Sequence, residues 1–113
     1  MDKVTFLNKV KEIIGRSDYK SLQEDYDDGT NIEFKDDSSV TCIIRLRRRL
    51  FGVVSDITLR RDYVEVLRFK LTKDEYRGLK NNIKSRLNEI REKELSLVFK
   101  DITRDNSIKS VLD

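Results

Sequence analysis

The sequence predicts an α+β fold: an N-terminal helix, a four-stranded antiparallel β-meander and a long C-terminal helix packed on one face of the sheet. Three observations predict it. Apolar residues recur at helical spacing near the N-terminus, a series of alternating apolar and polar runs follows, and a helix-start signature then precedes a long amphipathic stretch.

Phe6, Leu7, Val10, Ile13 and Ile14 share one helical face, and Gly15 stands where a left-handed C-terminal cap belongs, so the first helix is expected over Lys3 to Ile14. Arg16 to Thr30 lacks apolar periodicity and gathers Asp18, Glu24, Asp25, Asp27 and Asp28 before Gly29. It reads as a loosely ordered acidic connector with a short helical turn at Ser21 to Asp25.

Strands are expected at Asn31 to Asp36, Val40 to Arg47, Gly52 to Arg60 and Tyr63 to Leu71. A loop at Asp37 to Ser39 would pair Phe34 with Cys42 and Ile32 with Ile44. A loop at Arg48 to Phe51 would pair Val40 with Leu59, Cys42 with Ile57, Ile44 with Ser55 and Leu46 with Val53. One face is then apolar, and the other receives Glu33, Lys35, Thr41, Ile43, Arg45, Arg47, Val54, Asp56, Thr58 and Arg60. In the last strand a loop at Arg60 to Asp62 sends Leu67 and Phe69 to the core. Arg68 and Lys70 then join the arginine face, with Val64 and Val66 exposed beside them.

The second helix has the clearest start. Thr72 and Glu75 form a capping box, Asp74 and Glu75 place negative charge at the N-terminus, and Leu71 and Tyr76 occupy staple positions. Tyr76, Leu79, Ile83, Leu87 and Ile90 form its core stripe, beside a basic stripe of Arg77, Lys80, Lys84 and Arg91. After Lys93 the pattern weakens: Leu95, Leu97 and Phe99 alternate like a strand, whereas Leu95, Val98 and Ile102 fit a continuing helix, the reading favoured here. The domain organisation expected is a single α+β domain over 1–94 and a C-terminal extension over 95–113, helical or partly disordered.

A chain of 113 residues with 40% charged and 37% hydrophobic content suits one folded domain, because the apolar residues are periodic rather than diluted. No apolar stretch long enough for a signal peptide or a membrane span occurs, and the single cysteine, Cys42, lies in an apolar run, so a cytoplasmic setting and a buried thiol are expected. Histidine and tryptophan are absent, which removes the commonest general base and metal ligand and any histidine-activated nucleophile. Four glycines, at 15, 29, 52 and 78, are too scattered for a phosphate loop. The acidic run fails as a calcium loop, since a start at Glu24 puts Tyr26 at the third position and Lys35 at the twelfth. Adjacent acids such as Asp36 and Asp37 read as solvated turn formers. No catalytic residue, cofactor or metal is therefore assigned, and the chain is expected not to be an enzyme.

Charge is the remaining signal. Net charge is +3, but residues 1–37 carry 6 basic and 10 acidic groups whereas the rest carry 18 and 11. Between Asp36 and Phe69 all seven cations are arginine: Arg45, Arg47, Arg48, Arg49, Arg60, Arg61 and Arg68. Arginine's planar fork pairs bidentately with carboxylate or phosphate, which a lysine ammonium cannot do. The bland explanation is a solvated sheet face on which Glu33, Asp56, Asp62 and Glu65 answer the arginines in weak cross-strand pairs. The functional explanation is a binding face comprising Arg45, Arg47, Arg49, Arg60, Arg68, Lys70, Arg77, Lys80 and Lys84.

The helix–strands–helix order is similar in topology to a double-stranded-RNA-binding domain. An extra strand and the acidic Lys73-Asp74-Glu75 at the start of the second helix depart from that family, so its function is not carried over. An arginine-rich face with few interleaved aromatics and a pI of about 9.0 favours a small regulatory or inhibitory protein that binds an acidic protein partner, of the kind a virus or mobile element encodes by analogy. Nucleic-acid binding through the same face is the alternative, and pairing of an edge strand with a second copy would give a homodimer.

Overall fold

The computed structural model describes residues 1–25, 29–48 and 55–112, with the backbone alone for Asp25 and 102–112. Helix α1 (Lys3–Arg16) begins at Asp2, whose carboxylate accepts the Thr5 amide at 2.7 Å. It runs beyond the expected stop at Gly15. Ser17 ends it instead, donating its hydroxyl to the Ile13 carbonyl at 2.6 Å and its amide to the Ile14 carbonyl at 3.1 Å. Phe6, Leu7, Val10 and Ile14 form its buried face.

Strands β1 (Leu22–Asp25), β2 (Gly29–Lys35), β3 (Thr41–Arg47), β4 (Ser55–Arg61) and β5 (Val64–Leu71) make one antiparallel sheet in chain order, followed by helix α2 (Lys73–Leu112). The α+β class is as the sequence predicts, with five strands rather than four. The additional one corrects the acidic connector: Ser21–Asp25 is not a helical turn, because Leu22 to Asp25 pairs with β2. As an edge strand it needs one core anchor, and Leu22, opposite Ile32, supplies it. A single apolar residue among acids leaves no periodicity to detect. Tyr26, Asp27 and Asp28 lie outside the described residues.

Between β2 and β3 the register is the predicted one, Ile32 opposite Ile44 and Phe34 opposite Cys42. Asp36 builds the turn by accepting the Ser38 amide and hydroxyl and the Val40 amide at 2.9, 2.6 and 3.1 Å, and Ser39 takes the left-handed conformation at φ 63°. Between β3 and β4 the register differs from expectation by four residues: Cys42 faces Arg61, Ile44 faces Leu59 and Leu46 faces Ile57. An even shift keeps every side chain on its expected face. The expected Leu46–Val53 and Val40–Leu59 pairs are thereby overturned, since Leu46 faces Ile57 and Leu59 faces Ile44, while the expected loop at Arg48 to Phe51 falls largely on 49–54, outside the described residues.

The β4–β5 connection corrects the sequence reading most. It is the two-residue turn Asp62–Tyr63, both at positive φ (52° and 65°), rather than a three-residue loop. A bulge follows, with Leu59 opposite Leu67 but Arg60 opposite Glu65, so Val66 is the extra residue. Leu67 and Phe69 still reach the core side, while Glu65 moves to the arginine face and Val64 leaves it, because Val64 pairs with Arg61 on the Cys42 side.

Helix α2 starts with the expected capping box: the Thr72 amide donates to Glu75 at 2.9 Å and the Glu75 amide to the Thr72 hydroxyl at 3.2 Å. Lys3 also meets Glu75, at 2.6 Å, tying α1 to this start. Leu79 and Ile83 are buried, joining Ile32, Ile44, Leu46, Ile57 and Leu71 in one core with the α1 face. Both helices therefore cover the same side of the sheet. From Arg91 to Asp101 every residue is exposed, including Leu95, Leu97, Val98 and Phe99, and the helix continues to Leu112. At 1.5 Å per residue a 40-residue helix spans about 60 Å, which sets the molecule's longest dimension of 64 Å.

Two outcomes are expected. Ile57→Ala, at a site of 0% exposure, should cost about 2–5 kcal/mol in chemical denaturation, whereas Lys84→Ala on the exposed helix face should stay within about 0.5 kcal/mol. Lys3 and the Thr72 amide hold Glu75 below its ordinary pKa of 4.5. A carboxylate so depressed adds stability above its unfolded pKa and loses it as pH falls through the folded value. Acid titration of stability should thus be shallower in Glu75→Gln than in the parent.

Candidate functional site

Because Ile44, Leu46 and Ile57 point to the helices, their neighbours Arg45, Arg47, Asp56 and Thr58 must point to the face away from both helices. Register then assembles the site. Arg45 lies between Asn31 and Thr58, Arg47 between Gly29 and Asp56, and Arg60 between Ile43 and Glu65, while Arg68 lies beside Thr58 and Lys70 beside Asp56. Arg45, Arg47, Asp56, Thr58, Arg60, Glu65 and Arg68 line a shallow depression of about 110 Å³.

Asp56 is its centre. Only 4% exposed, it stands cross-strand from Arg47 and Lys70 and accepts a hydrogen bond from Arg68 at 2.9 Å. Burial of a carboxylate is unfavourable unless cations and donors surround it, which is the arrangement here. That bond raises the basicity of Arg68 above its ordinary value. Glu65 adds a second, exposed carboxylate at the rim. Four arginines against two carboxylates leave the lining residues at net +2. Among the described residues the buried Nε of Arg47 has no hydrogen-bond partner.

Of the residues singled out from sequence, Arg45, Arg47, Arg60 and Arg68 come together, with Lys70 next to them on the same face. Arg77, Lys80 and Lys84 do not join them, because α2 packs on the other side and the sheet lies between. Lys80 instead donates to the Thr30 hydroxyl at 3.2 Å, at the helix–sheet boundary. Arg49 lies outside the described residues. Arg61 is on the Cys42 side and pairs with Asp36 at 3.3 Å while donating to the Ser38 hydroxyl at 2.8 Å, so it closes the hairpin end of the sheet.

Asp56 is expected on this face from sequence, but as an ordinary counter-charge rather than as the buried centre; the signal was one acid at alternating spacing among arginines. Glu65 is likewise named from sequence as a counter-charge, but the expected register of the last strand does not put it on this face, which it reaches through the bulge. Cys42 is buried, with burial as the main cause pushing its thiol pKa up, away from thiolate chemistry. Among the described residues there is no cluster of three or more metal-ligating side chains, and no helix is long and apolar enough to cross a membrane.

No protein-family model, curated protein or solved structure matches this chain. The site's own chemistry is therefore the ground for a functional reading. If Asp56 organises the face, Asp56→Asn should lose on the order of 1–3 kcal/mol of stability, while Glu65→Gln at the exposed rim should stay within about 0.5 kcal/mol; urea unfolding distinguishes the two.

Proposed function

We propose that this chain is a small non-enzymatic regulator or inhibitor that binds an acidic segment of a partner protein through the arginine face of its sheet. The observation that carries the reading is the convergence of Arg45, Arg47, Arg60 and Arg68 on the sheet face away from both helices, around a buried carboxylate. Asp56 limits their mutual repulsion, while the surplus positive charge of the lining residues favours an incoming oxygen acceptor.

Guanidinium groups suit a partner's carboxylates, and arginine is enriched at protein interfaces where lysine is depleted. A continuous phosphate track is less well served. The sheet separates the arginine face from Arg77 and Lys84, and among the described residues no aromatic side chain lines the depression with the four arginines to stack on bases.

The test is fluorescence anisotropy with a labelled acidic peptide, duplex DNA, duplex RNA and single strands at low and physiological salt. The peptide should bind best, and Arg45→Glu/Arg47→Glu should weaken it by at least roughly tenfold, about 1.4 kcal/mol. Tighter binding to duplex, with a steep salt slope set by counterion release, would replace the protein partner by nucleic acid. An unchanged affinity in the double variant would remove the proposed face.

A further inference from the structure

We propose that the acidic partner segment joins the sheet as an extended sixth strand along the outer edge of β5, with acidic residues at alternate positions on the arginine face and apolar residues between them. This rests on the preceding reading and adds the mode of binding.

The sheet order ends at β5, so its outer side has no strand neighbour among the described residues, and β5 runs for eight residues. An edge of this kind offers backbone donors and acceptors to an added strand. Its side chains state the pattern the added strand needs. Arg68 and Lys70 stand on the arginine face, and a strand placed about 4.8 Å away would set acidic side chains directly beside them. Leu67 and Phe69 point to the other side and are only half-buried, so apolar residues at the intervening positions would extend the core past its present margin. Val66 adds exposed apolar surface along the same edge, at 54% exposure.

Charge also selects among occupants. Antiparallel pairing of β5 with β5 of a second copy would oppose Arg68 and Lys70 to the same cations, which is unfavourable, and the bulge at Val66 interrupts the matching register. An acidic strand meets neither obstacle on the segment from Leu67 to Leu71. The opposite edge, β1, is a four-residue strand of sequence Leu-Gln-Glu-Asp, short and acidic, and provides no comparable site for an acidic partner.

The experiment uses the full chain and labelled peptides of about eight residues, the length of β5. One alternates Glu and Val; a second has the same composition in two blocks. Two further versions of the alternating peptide carry N-methyl groups on every second amide, in one phase or the other. Strand addition predicts that the alternating peptide binds at least roughly tenfold tighter than the block peptide. It predicts that one methylation phase, facing β5, abolishes that gain while the other, facing solvent, leaves it. Lys70→Glu, folded by circular dichroism, should weaken the alternating peptide. Equal binding of block and alternating peptides, or equal tolerance of both methylation phases, overturns strand addition while leaving the charged face intact. Failure of every acidic peptide to bind removes the wider reading. Concentration-dependent elongation of the protein alone would assign the edge to β1 of a second copy and overturn the proposal.

Discussion

A pleated strand sends successive side chains to opposite faces, and here that constraint fixes the core and the candidate site together. Ile44 and Leu46 must reach α1 and α2, so Arg45 and Arg47 must face away from them; Ile57 imposes the same on Asp56 and Thr58. A slip of one residue would bring the arginines into the helix layer and expose the isoleucines. The observed register differs from the simplest one by an even number, which is why both faces survive a change in loop length.

Gathering guanidinium groups on one face carries an electrostatic cost that the sheet must answer locally. Strands about 4.8 Å apart leave the cations close enough to repel, and two features reduce this. Asp56 is held in the middle, nearly inaccessible, with Arg68 bonded to it. The bulge at Val66 then turns Glu65 onto the same face opposite Arg60. Among the described lining residues the arginines still outnumber the carboxylates, and that surplus is what the proposed acidic partner would meet. The basic residues of α2 do not add to it, since their helix packs on the other side of the sheet.

Most of the layered architecture was legible because it rests on periodicity and capping. The α1 stripe, the Ile32–Ile44 and Phe34–Cys42 pairs, and the Thr72–Glu75 box each combine a spacing with a physical requirement. Three features were not legible for distinct reasons. Strand β1 uses one apolar anchor, Leu22, among acidic residues, so its pattern is carried by its partner strand rather than by itself. The β4–β5 turn places Asp62 and Tyr63 at positive φ without the glycine that usually signals it. The bulge, and with it the face of Glu65, depends on how two strands adjust after that turn, which no local spacing encodes. In the site, the parity of Arg45, Arg47, Arg60 and Arg68 was readable, whereas the isolation of Arg77, Lys80 and Lys84 required knowing which face the helix covers.

The most direct test of the account is an NMR titration of the arginine side-chain Nε–Hε resonances with an acidic peptide at physiological salt. The account predicts that Arg45, Arg47, Arg60 and Arg68 shift together, with backbone changes centred on β3 to β5, while Arg77 and Arg91 on α2 stay in place. Shifts confined to α2, or none among the four sheet arginines, would contradict it.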